Sequence, residues 1–126
     1  MDRKIILSDK APAPIGPYSQ AVMHDGRLFC SGQIALDPVT GLMVQDSIEA
    51  ETKQVMENIG AVLIEAGMDY SHIIKTSIFI TDMNNFAKVN TVYAGYFKGN
   101  YPARETVQVS ALPKNGNVEI TVIAGE

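Results

Sequence analysis

The sequence of 126 residues holds one cysteine, two histidines and no apolar run long enough to form a membrane helix, which needs about 20 residues. The single thiol, Cys30, excludes an internal disulfide and any zinc or iron–sulfur centre built on several cysteines. His24 and His72 lie far apart in sequence, without the i, i+4 spacing of a helical metal pair, so no His-rich metal site is expected. Basic charge is short as well. Ten Lys and Arg against fourteen Asp and Glu leave a formal net charge of −4. Binding to a polyanion relies on a dense basic surface, so this balance argues against a nucleic-acid partner. A Gly-rich phosphate loop, a serine elbow and a HExxH pattern are all missing. Residues Met1 to Ser8 lack the apolar core of a signal peptide. The expectation is a soluble cytoplasmic protein in a reducing compartment, with no membrane association.

Apolar residues make up 46% of the chain and charged ones 19%, a globular composition. Two independent cores are hard to build from so short a chain, so one domain over residues 1–126 is expected. Its most turn-rich stretch is Ala11-Pro12-Ala13-Pro14-Ile15-Gly16-Pro17. Three prolines in seven residues exclude helix and interior strand and predict a stiff extended loop that delivers Tyr18 and Ser19 to a definite place.

Short strands are expected at 20–24 and 28–31, joined by the hairpin signal Asp25-Gly26, with another turn at 37–41. Ile48, Val55, Ile59, Val62, Leu63 and Ala66 recur at helical spacing and predict a helix over 47–66. Asp46 with Glu49 reads as its capping box, and Gly67 as its terminator. A β-branched run predicts a strand at 73–81, and the stripe Phe86, Val89, Tyr93, Phe97 a helix over 84–98. Strands at 106–111 and 118–124, joined by the loop 113–117, complete an order β-β-β-α-β-α-β-β, with one early strand left unplaced. That order fits an α+β fold: one mixed sheet with two helices on one face.

The helix-covered face is expected to hold Ile74, Thr76, Ile78 and Ile80, with Val118, Ile120 and Val122. The other face would hold Ser77 and Phe79, then Thr106, Gln108 and Ser110, then Glu119, Thr121 and Ile123. This mixture is too apolar for a fully wet face and too polar for a core. It suits burial against other copies of the chain, with Phe79 and Ile123 as interface residues.

For chemistry, Cys30 sits in an apolar strand where a small core residue is the usual outcome, and neither histidine accompanies a nucleophile. Arg104 and Glu119 stand out. Arg104 follows Tyr101-Pro102-Ala103, a stiff approach that aims its guanidinium, and Glu119 lies between Val118 and Ile120 in an otherwise apolar strand. Arginine offers a carboxylate two parallel charge-assisted hydrogen bonds, and a glutamate nearby can hold or deprotonate a water. Residue types alone leave open a plain salt bridge between the two across an interface.

Several segments together resemble the RidA/YjgF family, the reactive intermediate deaminases. These are Pro102-Ala103-Arg104, then Val107, Ser110 and Ala111, then Val118-Glu119-Ile120, together with residues 11–20, Ser31-Gly32-Gln33-Ile34 and Val89-Asn90-Thr91-Val92-Tyr93. The resemblance runs over nearly the whole chain, in order. It implies a chorismate-mutase-like α+β fold in which three chains pack their sheets into a trimeric barrel, with a ligand site in each cleft between subunits. It also implies hydrolysis of enamines and imines such as 2-aminoacrylate and 2-iminobutanoate to 2-keto acids and ammonia, without metal or cofactor. By the same resemblance Arg104 binds the substrate carboxylate and Glu119 orients the attacking water. Tyr18, Ser31, Gly32 and Ile34 line the pocket, the backbone N–H of Thr106 shares the carboxylate, and Asn90 joins from the second helix.

Two positions depart from the family. Thr106 stands where many members have cysteine, and Glu105 where a small residue is usual. The alternatives to a deaminase are a non-catalytic sensor of 2-keto acids or similar small carboxylates, using the same Arg104, and an endoribonuclease, against which the acidic balance speaks.

Overall fold

The computed structural model describes residues 3–126. Six strands form one sheet: β1 (Arg3–Ile6), β2 (Ala21–His24), β3 (Arg27–Cys30), β4 (Ile73–Ile80), β5 (Ala103–Gln108) and β6 (Val118–Gly125). Two helices, α1 (Ile48–Glu65) and α2 (Phe86–Ala94), complete the expected element order. The strand the sequence left unplaced is β1. Spatial order is β1-β2-β3-β6-β4-β5. The pair β4/β5 is parallel because α2 carries the chain back across the sheet, and every other neighbouring pair is antiparallel. Asp25 and Gly26, at φ 55° and 78°, make the tight β2–β3 turn. Both values lie in the left-handed region that such a hairpin requires.

α1 forms where its apolar spacing predicts. Its buried face includes Val55, Met56, Ile59, Val62 and Leu63, each stabilising the fold by roughly 1.5–3 kcal/mol when fully removed from water. The cap differs from the expectation. Ser47, not Asp46, accepts the backbone N–H of Ala50 at 3.0 Å, because a helix starting at Ile48 puts Ser47 at the position whose side chain can reach the first exposed amides. Gly67, at φ 76°, follows the helix as expected. α2 is shorter than 84–98: a 3-10 turn (Met83–Asn85) precedes it, and after Ala94 the chain passes into turns closed by Tyr96 N–H on the Tyr93 carbonyl and Phe97 N–H on the Ala94 carbonyl.

β5 begins three residues before the predicted strand, and this changes the faces. Arg104 pairs with Thr76, Thr106 with Ile78 and Gln108 with Ile80. Thr106 and Gln108 therefore lie on the helix side of the sheet, and Glu105 and Val107 take the places expected for them on the other side. Gln108 confirms this by accepting the backbone N–H of Met83, just before α2, at 2.8 Å. Ser110 falls outside the strand. Ile74 is also displaced: a bulge between Ile73 and Lys75 seats Ile73 in the core and leaves Ile74 49% exposed. The remaining assignments hold. Thr76, Ile78, Ile80, Val118, Ile120 and Val122 are buried, and Ser77, Phe79, Glu119, Thr121 and Ile123 are half-buried on the opposite face.

Candidate functional site

The proline-rich loop is fixed by one buried side chain. Gln20, 1% exposed, accepts the N–H of Ser8 at 2.7 Å and donates to the carbonyls of Ser8 at 3.0 Å and Pro12 at 2.9 Å. Proline cannot donate, so a side-chain amide that reads loop carbonyls is an effective way to hold such a segment. Tyr18 then folds back on the loop, its hydroxyl accepting the N–H of Ile15 at 3.1 Å.

The segment after β3 continues alongside β6 through an antiparallel bridge between Gln33 and Ile120. Gln33 and Ile120 exchange backbone hydrogen bonds at 2.9 and 3.1 Å, Ser31 N–H donates to Gln20, and the Ser31 hydroxyl donates to the Ser19 carbonyl at 2.6 Å. From α1, buried Asn58 donates to the carbonyls of Ile34 and Leu36 at 3.1 and 2.9 Å. Buried Glu51 accepts the backbone and side-chain amides of Asn117 at 2.6 and 2.8 Å, which anchors the loop that carries Pro113.

These supports enclose a cavity of about 300 Å³ lined by Tyr18, Ser31, Gly32, Ile34, Glu119 and Pro113, among others. Five of the sequence-predicted site residues thus meet in one place. Glu119 is the only titratable acid there, and among the described residues its carboxylate accepts no hydrogen bond and pairs with no cation. Burial holds its pKa above the ordinary carboxylate range. Gly32 lies directly against it.

Arg104 is elsewhere. Its partner Thr76 points into the core, whereas Glu119 pairs with Phe79, three residues on and on the opposite face. Arg104 therefore stands on the helix side, in a second cavity of about 430 Å³ that also includes Asn90, Tyr93, Tyr101 and Pro102. Its Nη1 donates to Asn90 Oδ1 at 2.8 Å. The guanidinium carbon sits 5.7 Å from the Phe86 ring centre and 5.2 Å from that of Tyr93. Within one chain, an acidic cavity around Glu119 and a cationic one around Arg104 therefore lie on opposite faces of the sheet.

Thr106, two residues past Arg104 on the same face, keeps a buried hydroxyl without a hydrogen-bond partner among the described residues. Glu105 faces the other way. It pairs with Lys75 at 2.9 Å and accepts the Ser77 hydroxyl, contacts that hold its pKa below the ordinary value, so its charge is neutralised away from Arg104. The Cys30 thiol is buried, and desolvation pushes its pKa up to about 12. His72 is engaged in the local cap with Asp69. Among the described residues no three His, Cys, Asp or Glu side chains are grouped so as to hold a metal ion, and no helix is long and apolar enough to cross a membrane. The residues that sequence reasoning missed are Gln20, Asn58 and Phe86. Gln20 alone left a signal, a polar residue at the mouth of an apolar strand.

The sequence model of the family described as Endoribonuclease L-PSP matches residues 8–126. Protein DfrA of Myxococcus xanthus is 56% identical over 126 residues, covering 98% of this chain and 96% of its own. A bovine protein named 2-iminobutanoate/2-iminopropanoate deaminase is 48% identical over 97% of this chain and 89% of its own. Among solved structures, a Rid-family protein, YyfA of Yersinia pestis, superposes with a TM-score of 0.96 at 53% identity, over 99% of this chain and 100% of that one. Escherichia coli TdcF, solved with bound serine, gives 0.94 at 41% identity, over 98% of both chains. With the cavity around Glu119, the sheet topology and these likenesses in agreement, this chain belongs to the RidA/YjgF family.

Proposed function

We propose that the protein hydrolyses imines and enamines of small 2-amino acids, such as 2-iminobutanoate and 2-aminoacrylate, to the 2-keto acid and ammonia. The observation that carries this reading is the Glu119 cavity: a half-buried carboxylate without a partner among the described residues, its pKa raised by burial, facing a small apolar chamber. Relatives at 48% identity bear the name 2-iminobutanoate/2-iminopropanoate deaminase.

An imine carbon is already electrophilic. The protein has only to fix the substrate and place a water, and positioning of this kind supplies several kcal/mol. Arg104 binds the substrate carboxylate. Glu119 takes a proton from the attacking water as the C–O bond forms and the C=N electron pair moves to nitrogen, then returns that proton to the nitrogen to give the amino alcohol. The same carboxylate passes the hydroxyl proton to the nitrogen, so the C–N bond breaks as the keto C=O forms and ammonia leaves; an enamine first moves a proton from nitrogen to its terminal carbon to become the imine. Gly32 lines the same chamber beside Glu119, and the Thr106 N–H supplies a second contact to the carboxylate. With Arg104 and Glu119 on opposite faces of one sheet, the complete site forms between copies: Arg104 of one chain meets Glu119, Tyr18, Ser31, Gly32 and Ile34 of the next. A closed ring such as a homotrimer, with Phe79 and Ile123 at its centre, places every Arg104 beside a neighbour's Glu119. The net charge of −4 argues against RNA as the ligand.

The test generates 2-iminobutanoate in situ with a pyridoxal-phosphate dehydratase and follows its loss. Wild type accelerates hydrolysis; Arg104→Ala and Glu119→Gln do not. Refolding the two variants together rebuilds wild-type sites at about one interface in four if chains mix at random in a ring, so about a quarter of the activity returns. Absence of acceleration by wild type overturns the deaminase reading in favour of a keto-acid sensor, and failure of the mixture overturns the intersubunit site.

A further inference from the structure

The face of α2 over Arg104 is built from three residues at helical i, i+4 and i+7 spacing: Phe86, Asn90 and Tyr93. Such spacing stacks side chains along one stripe. Each touches the guanidinium in a different manner. Asn90 takes one Nη1 hydrogen through Oδ1, the only amide atom that can face a group that solely donates. Phe86 and Tyr93 offer ring faces at 5.7 and 5.2 Å, within reach of a cation–π attraction. Tyr93 is itself locked. It is 4% exposed, and its hydroxyl donates to buried Thr76 at 3.0 Å, the residue that pairs with Arg104 across the sheet. Phe86, by contrast, remains 37% exposed, a cost in wetted apolar surface at a position whose visible role is to cover Arg104.

We propose that Phe86, Asn90 and Tyr93 form a clamp that fixes the guanidinium of Arg104 in orientation, Asn90 holding one edge and the two rings packing against it, so that its remaining N–H groups are presented as a preset fork for a planar carboxylate. This makes Asn90 a positioning residue that acts through Arg104. The clamp deepens the deaminase reading above and rests on it for the identity of the anion. Arginine carries considerable rotamer freedom, and a side chain held beforehand loses less of it on binding. A clamp of this kind also favours planar, two-oxygen anions over point-like ones, because the fork cannot turn to follow them.

Two measurements separate the clamp from the reaction. The chain has three arginines, so the Arg104 guanidinium signal in nitrogen-15 NMR is assigned by its loss in Arg104→Lys. Wild type is expected to show slow rotation of the Arg104 Nη groups. Phe86→Leu and Asn90→Ala speed that rotation, while Phe86→Tyr, which keeps the ring, does not. In the imine assay Phe86→Leu raises KM by about three- to five-fold, the scale of one cation–π contact, with kcat changed less, and Phe86→Tyr restores it. Unchanged Nη rotation in both Phe86→Leu and Asn90→Ala overturns the clamp even where hydrolysis is intact. Restricted rotation released by both, in a protein that hydrolyses no imine, sustains the clamp and overturns the deaminase reading alone. A loss of kcat equal to the rise in KM, not recovered by Phe86→Tyr, marks Phe86 as structural and overturns its part.

Discussion

A Cβ on Gly32 would lie 2.6 Å from Oε2 and 2.8 Å from Cδ of Glu119. The carboxylate sits where only glycine leaves room, because the backbone bonds on either side, Ser31 to Gln20 and Gln33 to Ile120, hold the segment close to β6. Gly32→Ala is expected to push Glu119 out of place with the fold retained. Displacing a catalytic group by about 1 Å costs on the order of 100-fold in rate. Turnover of the imine with an unchanged circular-dichroism spectrum checks this; near-wild-type turnover refutes the assigned place of Glu119.

The raised pKa of Glu119 has two consequences of definite sign. In the proposed role of base Glu119 must be ionised, so activity is expected to fall on acidification through a pKa above the ordinary carboxylate range. As a buried acid it binds its proton more tightly folded than unfolded. Its ionisation therefore lowers stability as pH rises from the unfolded to the folded pKa, and the loss persists above. Glu119→Gln should melt above wild type near neutral pH, and the gap should close as pH falls through the folded value. Melting curves across pH decide it.

Gln20 is a stability residue with a functional effect. Gln20→Leu leaves the Ser8 N–H and the Pro12 carbonyl without their partner, at about 1–3 kcal/mol for a buried unsatisfied group. It also releases the loop that carries Tyr18. The expected outcome is a lower denaturant midpoint together with a raised KM. A loss of stability at unchanged KM would show that the loop does not position the site.

On the far side of α1, a Cβ on Gly60 would overlap the Tyr70 hydroxyl, which donates to the Met56 carbonyl at 2.8 Å. Alanine is ordinarily the better helix former by about 1 kcal/mol. Here Gly60→Ala should instead destabilise by about 1–3 kcal/mol through overpacking, and pairing it with Tyr70→Leu should recover part of the loss. Urea unfolding of the three variants measures both effects.

Cys30, 7% exposed with its thiol pKa near 12, stays protonated at neutral pH. The native protein should react with a thiol reagent far more slowly than the urea-unfolded chain, since the thiolate is the nucleophile. Rapid labelling of the folded protein would contradict the burial of β3.

Much of the fold was legible in the chain because its signals are local. Apolar spacing placed α1, Asp25-Gly26 placed the hairpin, and β-branched runs placed β4 and β6. The misplacements came where tertiary pairing overrides local preference. β5 takes its register from β4 and so begins at Ala103, which turns Thr106 and Gln108 to the helix side. A bulge turns Ile74 out, and α2 stops early where the chain must return toward β5.

By itself the sequence determined the element order and the composition of both sheet faces along β6, and it singled out Arg104 and Glu119 as candidates for chemistry; the pocket roles of Tyr18 and the Ser31–Ile34 segment came from the family resemblance. It could do so because periodicity, turn chemistry and an isolated acid in an apolar strand are all properties of neighbours in the chain. Only the tertiary structure decided that Glu119 and Arg104 stand on opposite faces, that Gln20 and Asn58 hold the cavity, and that α2 covers the guanidinium. Those facts depend on strand register, where a shift of one residue exchanges the faces of the sheet.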